Sequence, residues 1–157
     1  MSLKEKIIGI SLFTFQLKES TILKQIDSVI SKGAEVIILP RKNTFDFEKE
    51  YLSLLNLLVV FSPTEKMLKS FISDKPPIMP GKIPLVFVMN SGTKEHFNLL
   101  KYFSDLIDQK GIFFVPFGIN DREAIMFQSR LDLISKTCSA ALKNEQIKPV
   151  FLENHNL

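Results

Sequence analysis

The chain has 157 residues, of which 45% are hydrophobic and 24% charged, and its formal net charge is +3. This composition excludes a disordered chain and is long enough for one core, so a single domain over residues 1–157 is expected. The dispersed positive charge offers no basic block for nucleic acid. One cysteine, Cys138, excludes an internal disulfide and suits a reducing cytoplasm.

The first apolar run, Ile7–Leu12, follows Lys4 and Lys6 in the manner of a signal peptide. Gln16-Leu17-Lys18-Glu19 supplies no small-residue cleavage site, however, so the run reads as a buried strand. Ile22, Ile26, Val29 and Ile30 then share a helical face, with Ser20 to cap its start and Gly33 to end it. Val36–Leu39 is the second strand, and Asp46–Leu55 is expected to hold a short helix. Leu57–Phe61 is the third strand; LSLLNLLVVF around it is too short to span a bilayer. Met67, Leu68, Phe71 and Ile72 predict a helix that stops before Pro76-Pro77. Leu85–Met89 is the fourth strand. Phe97, Leu100, Phe103 and Ile107 predict the next helix, between Thr93 and Gly111. Ile112–Val115 is the fifth strand, and Leu131, Ile134, Cys138 and Leu142 mark the last helix.

Continuous apolar strands are what a sheet covered on both faces requires. Their alternation with amphipathic helices predicts a three-layer α/β domain around a mainly parallel five-stranded sheet. Ligands of such sheets bind beyond the carboxyl ends of the strands. That rule selects residues 11–19, 62–65, 90–93 and 116–128.

Each of these stretches also has an ordinary structural reading. In SPTE, Ser62 caps a helix, Pro63 suits its first turn and Glu65 completes a capping box, placing a carboxylate where a phosphate would otherwise be attracted. Asn90-Ser91-Gly92-Thr93 reads as a polar turn and cap. In GIFFVPFGIND, residues 111–121, the strand is expected to stop at Pro116 and the chain to bend at Gly118. His96 reads as an exposed first-turn residue, Asp121-Arg122-Glu123 as a solvated loop, and Cys138 as a small core side chain. Two distant histidines and one cysteine give no His/Cys metal site. No Ser-His-Asp set, Walker loop or GxGxxG fingerprint is present.

QIDSVISKGAEVIIL (residues 25–39), GIFFVPFGIND, LDLISKT and the tail EQIKPVFLE together resemble the B subunits of bacterial dipicolinate synthase. The resemblance runs from the first strand nearly to the C-terminus and is strongest over Lys110–Gly118. It implies a Rossmann-like, flavoprotein-like fold and FMN as the cofactor; a homo-oligomer is expected besides. It also implies an A-type subunit carrying NAD(P), with which dipicolinate is made during sporulation. On this resemblance Thr14, Ser62, Thr64, Asn90, Ser91, Pro116, Phe117 and Gly118 are the candidate cofactor-binding residues; it assigns no catalytic residue and no metal. The chain departs from the family at the flavin loops. Phe13-Thr14-Phe15 replaces a Thr-Gly-Ser phosphate grip, the loop at Ser62-Pro63-Thr64-Glu65 is shortened, and a segment between Arg41 and Leu57 is missing. Those departures predict weak or absent FMN binding. They keep open a second function, that of a flavin-free, non-enzymatic binding or scaffolding relative. An independent FMN-dependent decarboxylase is the third reading, disfavoured because no histidine follows the first strand.

Overall fold

The computed structural model describes residues 3–12, 19–39, 49–61, 63, 65–73, 82–91, 96–120 and 126–152. All five apolar runs are strands of one parallel sheet. They are β1 (Ile7–Leu12), β2 (Glu35–Ile38), β3 (Leu57–Phe61), β4 (Leu85–Val88) and β6 (Ile112–Phe114), in the order β2-β1-β3-β4-β6. The register runs Ile10↔Val59, Val59↔Val86 and Val86↔Phe113 across the centre.

Side chains alternate between two apolar faces, as a doubly covered sheet demands. Leu57, Val59 and Phe61 face one layer with Ile26 and Val29 of α1 (Glu19–Ile30) and Ile134, Cys138 and Ala141 of α5 (Ile134–Leu142). Leu58 and Val60 face the other, with Leu52 of α2 (Lys49–Leu54), Met67, Leu68 and Phe71 of α3 (Glu65–Ile72), and Leu106 of α4 (His96–Leu106). The expected three-layer α/β architecture is therefore present. Gly33 (φ 97°) follows α1 and Gly111 (φ 84°) precedes β6, positions where the left-handed backbone suits glycine. The expected last helix differs slightly: Leu131–Leu133 is a 3-10 turn, and the α-helix begins at Ile134.

A second sheet was not foreseen. It has four strands in the order β5-β8-β7-β9, namely β5 (Asn90–Ser91), β8 (Met126–Ser129), β7 (Phe117–Asn120) and β9 (Phe151–Leu152). Two expectations change as a result. The chain does not bend away at Gly118, because Phe117–Asn120 is itself a strand, antiparallel to β8 and parallel to β9. Asn90 and Ser91 likewise form a strand against Gln128 and Phe127. The physical reason lies at the junctions. β4 and β6 are neighbours in the first sheet, but beyond Met89 and Pro116 their continuations stand apart with β8 inserted between them. Proline has no N–H to lose, so Pro116 suits the point where a strand changes partners.

Candidate functional site

The carboxyl ends of β4 and β6 define the candidate site. Gln128 pairs with Asn90 on one side and Gly118 on the other, so these two residues lie in one row of the second sheet. Two strand spacings separate them by roughly 10 Å. Asn90-Ser91 and Phe117-Gly118 are thereby brought to one edge of the molecule. Thr14, Ser62 and Thr64 lie outside the described residues, as do Gly92, Thr93 and Asp121-Arg122-Glu123.

Ser129 holds this edge together. Its hydroxyl accepts the Met89 N–H at 2.8 Å and donates to the Val115 carbonyl at 3.2 Å, while its own N–H donates to the Met89 carbonyl at 2.8 Å. Arg130 N–H adds a bond to the Pro116 carbonyl at 2.8 Å. Where β4 and β6 stop pairing with each other, their freed groups are thus met by Ser129 and Arg130. Buried at this point, those groups would otherwise each cost about 1–3 kcal/mol.

Charge at the edge is internally balanced. The Arg130 guanidinium forks onto Asp132, Nε to Oδ1 at 3.1 Å and Nη2 to Oδ2 at 2.6 Å. These bonds raise the arginine further above its ordinary value, and the same bonds from Arg130 lower the Asp132 carboxyl. At the neighbouring helix start, Tyr102 Oη donates to Glu65 Oε1 at 3.3 Å. Partial burial, then the adjacent Glu65 charge and this hydrogen bond, push the Tyr102 phenol up. Glu65 is the first residue of α3, and its described side-chain partner is this tyrosine on α4.

Phe117 is part of the core, with 1% of its surface exposed. Its ring lies 4.9 Å from Phe103 and 5.8 Å from Phe151, both edge-on, and 6.0 Å from Phe114. Phe114 in turn contacts Phe87, and Phe87 contacts Phe71, so an unbroken file of rings joins the two sheets. The Pro116-Phe117-Gly118 segment has no side-chain donor, and Phe117-Gly118 is paired on both strand edges. Ser129 and Arg130 are also engaged within the fold. Ser129, Tyr102 and Gln146, which braces β6, were missed in the sequence because single polar residues in MFQS, LLKYF and NEQIK follow no spacing rule. Among the described residues no helix is long and apolar enough to cross a membrane, and no cluster of metal-binding side chains occurs.

Parallel five-stranded order, helices on both faces and a candidate site at the strand carboxyl ends define a Rossmann-like, flavoprotein-like α/β protein. The chain is similar to the B subunits of two dipicolinate synthases. The crystal structure of the dipicolinate synthase B subunit from Bacillus halodurans C superposes with a TM-score of 0.70 at 20% identity, over 98% of this chain and 99% of that one. The dipicolinate synthase B subunit of Bacillus subtilis (strain 168) is 23% identical over 198 aligned positions, spanning 98% of this chain and 97% of that protein. No family model matches the chain.

Proposed function

We propose that this chain is a single-domain, B-type subunit of dipicolinate synthase. In this reading it acts with an A-type subunit that carries NAD(P), in the cytoplasm of a sporulating cell, and assembles as a homo-oligomer. The observation that carries the proposal is the end-to-end likeness, 98% of this chain against 97% of the B. subtilis protein. A likeness confined to the sheet would support only a shared fold. The chain lacks any fingerprint for binding a hydride-carrying dinucleotide, so the redox step falls to the partner. Asn90 and Ser91, whose backbone shares a sheet row with Gly118, are the polar positions this reading assigns to a small ligand.

The test is reconstitution. Purified chain, an A-type subunit and the mixture are each supplied with NAD(P) and a dihydrodipicolinate-type precursor, and dipicolinate is measured. The expected result is that formation by the A-type subunit increases on addition of this chain, and that the chain alone is inactive. Dipicolinate from this polypeptide alone would refute the division of labour, and no effect of mixing would refute the subunit assignment.

A flavin-free scaffolding role is the second reading. It is favoured by the internal bonds of Ser129 and Arg130 and by the pairing of Phe117-Gly118 on both strand edges.

A further inference from the structure

The end of α5 borders a pocket that none of the candidate-site residues line. Lys143 N–H and Glu145 N–H both return to the Ala140 carbonyl, and Asn144 N–H to the Ala141 carbonyl, each at 2.9 Å. Asn144 takes a left-handed conformation (φ 59°), which closes the helix and sends residues 145–147 back beside it. Gln146 then fixes the returning chain. Its Oε1 accepts the Phe114 N–H and its Nε2 donates to the Phe114 carbonyl, both at 2.8 Å. Between helix and returning chain lies a pocket of about 250 Å³. It is lined by Lys136 and Ser139 of α5, by Lys143 just after it, and by Glu145, Gln146 and Ile147.

Three side chains in this lining lack partners. Spacings of three and four residues put Lys136, Ser139 and Lys143 along one stripe of the helix. Neither lysine forms an ion pair among the described residues. Ser139 is only 7% exposed. A helical hydroxyl commonly donates back one turn, as Thr137 does to the Leu133 carbonyl at 2.7 Å. Ser139 has no such bond, nor any other side-chain partner among the described residues, and it lines the pocket. Buried polar groups are nearly always bonded, so this hydroxyl is one that a ligand would complete.

We propose that this pocket binds a small dicarboxylate, held by the Lys136 and Lys143 ammonium groups and by a hydrogen bond from the Ser139 hydroxyl. Its volume falls below the roughly 300–1,000 Å³ of sites for drug-sized ligands, which suits a metabolite of few atoms. The two lysines are separated by roughly 10 Å along the helix axis. Two separated carboxylates match that spacing better than one compact phosphate. A helix C-terminus also presents carbonyls, not the N–H groups that grip phosphate. Here the Ala140 and Ala141 carbonyls are already bonded, which blunts their repulsion of an anion. Glu145 in the same lining opposes a third negative charge. The pocket is independent of the dipicolinate reading and shares no residue with the edge at Asn90, Ser91 and Gly118.

Glutarate is the probe, titrated into the full chain at low salt and followed by calorimetry and by amide chemical shifts. Saturable binding is expected, with shifts at Ser139 and Lys143 and none at Gly118. Added salt should weaken it, because the contacts are exposed charges. Lys136→Met and Lys143→Met should each weaken binding about fivefold, the upper range for an exposed charge contact. The double variant should abolish saturation. Both lysines are exposed, so these variants report on binding and not on folding. Ser139→Ala should also weaken binding. Butyrate, with one carboxylate, and inorganic phosphate should each bind less tightly than glutarate. Absence of saturation with glutarate overturns the proposal. So does equal affinity for phosphate, or binding that the double lysine variant leaves unaltered.

Discussion

Ser129 and Met89 close a ring of two hydrogen bonds, each residue giving its N–H to the other, and both bonds measure 2.8 Å. One of the acceptors is the Ser129 hydroxyl, which passes its own proton on to Val115. A single side chain thereby ties the exit of β4 to the exit of β6 at the junction of the two sheets.

Ser129→Ala should leave the Met89 N–H without its acceptor and the Val115 carbonyl without this donor, in a region only 3% exposed at Ser129. Leaving a buried group unpaired costs about 1–3 kcal/mol. For a chain of this size that lowers Tm by roughly 2–4 °C per kcal/mol. Calorimetry would record the loss, and an unchanged Tm would show that the brace is dispensable.

The first sheet was legible in the sequence, while the second was not, for a reason visible in particular residues. Leu57–Phe61 and Leu85–Val88 are buried on both faces, so every residue is apolar and the run announces itself. Met126–Ser129 and Phe117–Asn120 mix Gln128, Ser129, Gly118 and Asn120 with apolar neighbours, and β5 and β9 are two residues long. Glycine and asparagine are poor strand formers, so their place in a ladder is imposed by tertiary pairing. Pro116-Phe117-Gly118 shows the same limit. Proline does mark a break, but the break is a change of partner strand, and Phe117 serves the core.

Gly9 sits in the middle of β1, where a Cβ would lie 2.5 Å from Leu55 Cδ1 and 3.1 Å from Leu58 Cδ1. Gly9→Ala should therefore destabilise the protein by about 1–3 kcal/mol through overpacking. Combined with Leu55→Ala, which vacates the closest contact, the two losses should be less than additive. Denaturant melts of the two single variants and the double variant measure this coupling, and strict additivity would locate the strain elsewhere.

Burial pushes the Cys138 thiol up to about 12 from an ordinary value of 9.0. Only the thiolate reacts readily, so native protein should resist alkylation at pH 8 and label at once when unfolded. The sign of the pH effect follows from the raised value. Above pH 9 the unfolded chain loses the thiol proton while the folded chain keeps it, so stability falls as pH rises from 9 towards 12. Cys138→Ala should reduce that alkaline loss. An identical slope in both proteins would assign it to other groups.

FMN should bind weakly at best, because Glu65 sets a negative charge at the start of α3. A cofactor phosphate needs oriented N–H donors to replace its water, and helix starts at strand ends are where such donors are found. Here α3 begins with a carboxylate that the Tyr102 hydroxyl holds at 3.3 Å. At an effective dielectric near 20, two like unit charges roughly 5 Å apart repel by about 3 kcal/mol. That weakens binding on the order of a hundredfold. In the sequence, Phe13-Thr14-Phe15 also carries no glycine where close backbone approach to a phosphate would need one. Titration of the purified chain with excess FMN, followed by flavin fluorescence and calorimetric heat, should give no saturation in the low-micromolar range. Glu65→Gln removes the charge but keeps the shape, and should bind FMN more tightly than wild type if the carboxylate is the obstacle. A yellow wild-type preparation, or saturable micromolar binding that Glu65→Gln leaves unaltered, would show that the phosphate is gripped by other residues.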